Sequence, residues 1–115
     1  MGLHNQRLGR RGESLAAQWY ESNGYRIVDR NWRCELGEID LIASGHGVVV
    51  FCEVKTRSSY RFGHPAEAVT PAKQHRIHIL GARWLEAAGV RRPPRRRFDV
   101  VAVVRGQVSV IQGAF

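Results

Sequence analysis

Lysine is scarce in this chain, with two residues against sixteen arginines. Where positive charge is otherwise delivered as a guanidinium fork, Lys55 marks a place that calls for a compact ammonium. Cysteine is equally sparse. Cys34 and Cys52 are too few and too isolated for a disulfide framework or a zinc site, so reduced thiols are expected. No apolar run reaches the roughly eighteen residues of a membrane span, and MGLHNQRLGRR lacks the apolar core of a signal peptide. A cytoplasmic protein without a membrane partner is expected. Acidic residues are outnumbered, 10 against 18 basic ones, which leaves a net charge of +8 and a pI near 10.7. In a chain of 115 residues, one domain spanning 1–115, that excess points to a polyanionic partner, nucleic acid before an acidic membrane surface.

The densest pattern is a pair of apolar runs, Glu38–Ala43 and Val48–Lys55, separated by Ser44-Gly45-His46-Gly47. They predict a β-hairpin, with Gly45 supplying a positive φ at the first central turn position. The register this turn implies sets Glu38 opposite Glu53, Asp40 opposite Phe51 and Ile42 opposite Val49, all on one face with Lys55. Asp40 then lies diagonal to Glu53, at roughly 7 Å. Like charges so placed cost about 2 kcal/mol per pair at an effective dielectric of about 20. A divalent cation between the carboxylates would turn that repulsion into coordination, with Lys55 as a further positive charge beside it. The opposite face, Ile39, Leu41, Ala43, Val48, Val50, Cys52 and Val54, is apolar. Such a hairpin belongs inside a covered sheet with the acids at its one wet end. A solvated sheet edge with a cross-strand salt bridge is the alternative.

Around the hairpin, residues 5–23 place Leu8, Gly12, Leu15, Ala16 and Trp19 on one helical stripe, stopped by Gly24. Glu13 flanks the stripe, where its position alone reads as a solvated glutamate, and Arg7, Arg10 and Arg11 form a candidate phosphate-contacting cluster. Residues 25–32 read as an edge-leaning strand, with Trp32 expected in the core or an interface before any stacking on a base. The polar stretch TRSSYRFGHP is expected to be a mobile binding loop carrying Arg57 and Arg61, with His64 neither ligand nor catalyst. Thr70-Pro71 opens a second helix whose buried stripe runs Ile77, Leu80, Gly81, Trp84, Leu85 and Ala88, and Gly89 closes it. Lys73 and Gln74 sit in its first turn, where a helix favours an anion. Arg91 to Arg97 reads as an extended linker stiffened by two prolines, in which Arg95, Arg96 and Arg97 need phosphate or solvent for neutralisation. Strands are expected at 98–104 and 107–112, with Asp99 in a structural role before a chemical one. The order α-β-β-β-α-β-β implies an α/β domain, a mixed central sheet with a helix on each face.

GRRGE, GYRIVDRNWR, GEIDLIA, VVFCEVKTR and RFDVVAV resemble the YraN-like bacterial family over nearly the whole chain. The hairpin itself resembles the core of PD-(D/E)xK nucleases and of archaeal Holliday-junction resolvases, with Ile39 where the superfamily name carries Pro. That resemblance implies a restriction-endonuclease-like core, Mg2+ (or Mn2+) held by Asp40 and Glu53, and Lys55 assisting attack of water on a phosphodiester. It also implies an acid from the first helix, Glu13, at the metal, while Glu38 is a further candidate ligand from its place on the crowded face. The second helix would border the site, making Lys73 and Gln74 candidate phosphate or water contacts. The expected function is a metal-dependent endonuclease on structured DNA such as branched junctions, and symmetric junction cleavage would call for a homodimer. The alternatives are a nucleic-acid-binding module without turnover and an interaction protein in DNA processing.

Overall fold

In the computed structural model, five strands form one sheet: β1 (Arg26–Cys34), β2 (Gly37–Gly45), β3 (Val48–Arg57), β4 (Arg95–Val104) and β5 (Gln107–Ile111). Two helices, α1 (Leu3–Ser22) and α2 (Pro71–Ala87), and one 3-10 turn (Pro65–Ala68) complete the chain. The structure describes residues 3–61, 63–90, 92 and 94–115, with the side chains of α1 from Leu8 onward. The strands lie in sequence order across the sheet. All neighbours are antiparallel except β3 and β4, which are parallel because α2 carries the chain back between them.

A helix covers each face, as the element order implies. Ala16, Ala17 and Tyr20 of α1 pack with Leu41, Ala43, Val50, Cys52 and Val101. On the other side Ile77, Leu80 and Leu85 of α2 pack with Ile42, Phe51, Phe98 and Val100. The central strands are therefore apolar on both faces, the pattern of a covered sheet. Thr70 caps α2 as its sequence suggests: its Oγ1 accepts the Lys73 amide at 3.3 Å, with Pro71 in the first turn.

Two expectations change. The hairpin turn is His46-Gly47, closed by the pair Gly45↔Val48, with φ of 52° and 75°. Both central residues thus adopt the left-handed conformation that a type I′ turn requires. His46 is held there by donating from Nε2 to the Asn23 carbonyl at 2.8 Å and by an edge contact with the Tyr25 ring. Gly45 serves a different purpose from the expected one, since a Cβ there would meet the Gly24 carbonyl at 2.9 Å and Tyr25 Cα at 3.0 Å. The register therefore moves by two residues, to Leu41↔Cys52 and Ile42↔Phe51. An even shift leaves Leu41, Ala43, Val50 and Cys52 facing α1 and Ile42 and Phe51 facing α2, but Ile39, expected with Leu41, packs on the α2 side, beyond the point where the β2–β3 ladder ends.

The arginine run is the second correction, because Arg95, Arg96 and Arg97 belong to β4 and pair with Val48, Val49 and Val50 of β3. The backbone ladder offered by β3 outweighs the poor strand propensity of three successive cations. Arg97 turns inward. Its Nε and Nη2 donate to the fully buried Asp99 at 2.8 and 2.9 Å, and Tyr20 Oη (2.6 Å) and the Gly113 amide (3.0 Å) donate to the same carboxylate. Burial, then Cys52 and Asp99, push the Tyr20 phenol upward, so it stays a neutral donor. The structural role expected for Asp99 holds. Arg97→Met would strand this carboxylate and should cost about 3–5 kcal/mol in urea unfolding, whereas Arg95→Ala in the exposed part of β4 should stay within about 0.5 kcal/mol.

Candidate functional site

The β2–β3 ladder runs from Gly45↔Val48 to Leu41↔Cys52 and stops. Beyond it β2 stays on β1 as far as Gly37, and β3 stays on β4 as far as Arg57. The sheet thus forks at Asp40 and Glu53. The fork lies toward the carboxyl end of the parallel pair β3–β4, where α/β sheets leave room for ligands. Inside it, Asp40 Oδ2 accepts the Val54 amide at 2.8 Å, a side chain standing where the partner strand's carbonyl would have been.

Burial, then the charge of Glu53, with smaller contributions from Glu13 and Glu38, push the Asp40 carboxyl up to about 7. The Val54 hydrogen bond opposes this only in part. Glu53 is also raised, by burial first and by Glu38, against the pull of Lys55 and Lys73. Lys55 Nζ lies 3.3 Å from Glu53 Oε1, and the two side chains are only 18% and 17% exposed. Glu13 enters from α1, raised by burial and by Glu38 and Glu53, and lowered by a hydrogen bond from Asn31 and by Arg30.

The four acids expected at the site, Glu13, Glu38, Asp40 and Glu53, therefore act on one another electrostatically, with Lys55 among them. The partners differ from those expected. Glu38 does not face Glu53 across a ladder; it pairs with Arg33 on β1, accepting from Nε at 3.1 Å. Two grooves reach the acids. One, beside α1, is lined by Leu8, Gly9, Glu13, Lys55, Thr56 and Arg57; the other, beside α2, by Glu38, Glu53, Lys73 and Arg76. Gly12 lets α1 come this close, since a Cβ there would collide with Thr56 of β3.

Among the described residues, no three His, Cys, Asp or Glu side chains converge closely enough to enclose an ion by themselves. Asp40 and Glu53 each use one oxygen in the contacts above. Two hard carboxylates in a poorly solvated fork suit a divalent cation whose remaining positions go to water or a ligand.

The expected basic residues divide. Arg10 and Arg11 are exposed on α1 beside Glu13, and Arg57 follows Lys55 on β3, its Nη1 donating to the Thr56 carbonyl at 2.9 Å. Arg61 is exposed in the following loop. Lys73 Nζ donates to the Ala68 carbonyl at 3.4 Å and acts on Glu53, while Gln74 Nε2 is turned to the Val69 carbonyl at 3.0 Å. Arg95 and Arg96 are exposed at the other end of β3–β4, roughly 20 Å from Lys55 at the rise of a strand. The side chain of Arg7 lies outside the described residues, as do Arg91 and Pro93 of the arginine run. His64 caps the 3-10 turn by accepting the Ala66 amide at Nδ1, at 3.1 Å. Trp32 is half-buried against the α2-side core, as expected.

Sequence reasoning passed over Asn31, Arg76 and Arg105. Asn31 carries a φ of 50° within β1 and hydrogen-bonds Glu13, and its tolerance for the left-handed region was the one available signal.

A family model described as Uncharacterised protein family UPF0102 matches residues 12–103. The chain belongs to this family. A UPF0102 protein of Rhodococcus jostii (strain RHA1) is 49% identical over 117 residues, covering 97% of this chain and 98% of its own. One of Arthrobacter sp. (strain FB24) is 56% identical over 97 residues, 84% of this chain and 81% of its own. One of Clavibacter michiganensis is 51% identical over 108 residues, 91% of each chain. The YraN-like resemblance thus holds at the level of the family. No helix among the described residues is long and apolar enough to cross a membrane.

The raised Asp40 carboxyl has a testable sign. Between its usual 3.8 and about 7 the folded chain keeps a proton that the unfolded chain has released. Folding stability should therefore fall as pH rises through that window. In metal-free buffer, Asp40→Asn should gain on the wild type from about pH 4 to about pH 8, on the order of a few kcal/mol, and the gain should vanish at the acid end.

Proposed function

We propose that this chain is a metal-dependent endonuclease that hydrolyses phosphodiester bonds of structured DNA such as branched junctions. The observation that carries the reading is the fork: Asp40 and Glu53 crowded in a poorly solvated opening, with the Lys55 ammonium 3.3 Å from Glu53 Oε1. Carboxylates are held together at such a cost in energy where a function needs them. Asp40 and Glu53 would hold Mg2+ or Mn2+, which is commonly bound by one or two carboxylates together with substrate phosphate oxygens. The bound ion would supply Lewis acidity toward a phosphoryl oxygen.

The remaining work falls to the side chains. Lys55 stands where an ammonium can stabilise charge growing on the attacked phosphate and can orient the attacking water. Its compactness matters, because a guanidinium in the same place is broader and effectively never deprotonated. Lys73 and Arg76 on one side, and Arg10, Arg11 and Arg57 on the other, are placed to take flanking phosphates, contacts that position the strand without reading its sequence. Glu13, whose charge adds to the crowding of Asp40 from α1, is the candidate further acid. Cleavage of both strands of a symmetric junction would use two copies of the chain. One observation favours a second reading, binding without turnover: Lys55 already neutralises Glu53, and a third acid does not close around an ion.

A panel of labelled duplex, single-stranded, flap and four-way substrates with Mg2+ or Mn2+ separates the two. Lys55→Ala should lower cleavage by about 10²–10³ while leaving affinity nearly unchanged, and Lys55→Arg should recover little of it. Calorimetric titration with Mn2+ should show binding that Asp40→Asn weakens strongly. Purified wild-type protein that cuts no substrate, with Lys55→Ala changing affinity alone, would establish the binding module instead.

Affinity for DNA should also fall steeply with salt, each neutralised phosphate adding about −0.9 to the slope of log K against log salt. Arg10→Ala and Arg57→Ala should each flatten that slope by about one phosphate. If Arg95→Ala with Arg96→Ala flattens it and these do not, the footprint lies at the far end of the sheet.

A further inference from the structure

Next to the fork, α1 and the β4–β5 turn enclose a separate cavity of 290 Å³, lined by Leu8, Arg11, Leu15, Thr56, Val103 and Arg105 among others. Leu8 and Thr56 also line the groove of Glu13 and Lys55, so the cavity opens directly beside the proposed reaction centre. Its walls are apolar and its rim carries two guanidiniums, with no acid among the described lining residues. Arg105 is held by its backbone: Arg105-Gly106, with φ of 52° and 78°, forms the tight turn between β4 and β5. Its Nε donates to the Ser58 carbonyl at 3.1 Å, and its two Nη groups make no hydrogen bond among the described residues. Arg11 likewise makes no ion pair among them.

An apolar pocket with a doubly cationic rim fits an amphiphilic anion whose flat, weakly polar part goes in and whose charge stays at the mouth. A nucleotide has this chemistry, and the volume suits one nucleotide and not a duplex. We propose that this cavity is a nucleotide subsite, which takes one unpaired nucleotide of the strand that continues past the attacked phosphate. Its phosphate lies between Arg11 and Arg105, and its base and sugar lie against Leu8, Leu15 and Val103. The inference rests on the nuclease reading for its placement and adds the source of a preference for branched DNA. A base inside a duplex must first be unpaired and unstacked at a cost of a few kcal/mol, whereas an unpaired base at a bulge or branch costs less to turn out.

The test uses no metal and no cleavage. In EDTA, fluorescence anisotropy compares a labelled duplex carrying one unpaired thymidine with the same duplex fully paired. Wild type should prefer the bulged probe about tenfold, the scale of burying part of one base's apolar surface. Leu8→Gln should abolish the preference while keeping the salt slope, and Arg105→Ala should weaken the bulged probe more than the paired one, with circular dichroism confirming that both variants fold. Equal binding of the two probes by wild type, or equal losses on both probes in the two variants, overturns the subsite. The two proposals fail separately. Cleavage without the preference removes the subsite alone, and the preference without cleavage removes the nuclease alone.

Discussion

Strand β3 is paired on both sides as far as Cys52 and on one side only beyond it, and the candidate site follows from that change. While β2 and β4 both flank it, β3 is a core strand with Phe51 toward α2 and Val50 and Cys52 toward α1. Once β2 leaves, the backbone needs another acceptor, and the Asp40 carboxylate supplies it to Val54. That bond fixes Asp40 on rigid elements beside Glu53, two residues from Lys55. A carboxylate forced to serve as a strand partner in a poorly solvated opening cannot move away from its like-charged neighbours, and its raised affinity for a proton records the strain.

Charge is distributed around this point in a way that net charge does not reveal. Acids gather inside the fork and cations flank its two grooves, Lys73 and Arg76 on the α2 side and Arg57 on the other, with Arg10 and Arg11 exposed on α1. A polyanion drawn by the overall positive field would meet cations first and the acids last. The far end of the sheet has its own exposed pair, Arg95 and Arg96, while Arg97 of the same run is committed to the buried Asp99. Strand alternation turns Arg96 away from Arg97, while Arg95, on the same face as Arg97, lies at the exposed start of β4.

Much of the fold was legible from local pattern. The Thr70-Pro71 cap, the helical stripes of α1 and α2 and the two-faced apolar hairpin each rest on interactions within a few residues, and each stands in the structure. The grouping of Glu38, Asp40 and Glu53 with Lys55 was legible too, because strand periodicity survives small errors of register, whereas Glu13 was placed there by the family resemblance and by no pattern of its own. Less legible was everything that depends on a distant partner: that Arg95 would join a strand, that Asn31 would support Glu13, that Arg105 would come to lie beside Arg11 across a cavity.

By itself the sequence determined which side chains share a face along the paired part of the hairpin, since strand period is a property of the local backbone, whereas Ile39, past the end of the β2–β3 ladder, changes sides. It determined too that acids would crowd at one end of a buried hairpin in a strongly basic chain. Tertiary structure alone decided the pairing. The turn moved to His46-Gly47 because Gly24 and Tyr25, brought up by the end of α1, occupy the space around Gly45 and hold the His46 ring. It also decided where β2 lets go of β3, and so which carboxylates are buried together, because strand separation balances contacts from both helices and both neighbouring strands. No segment of the chain carries that balance alone.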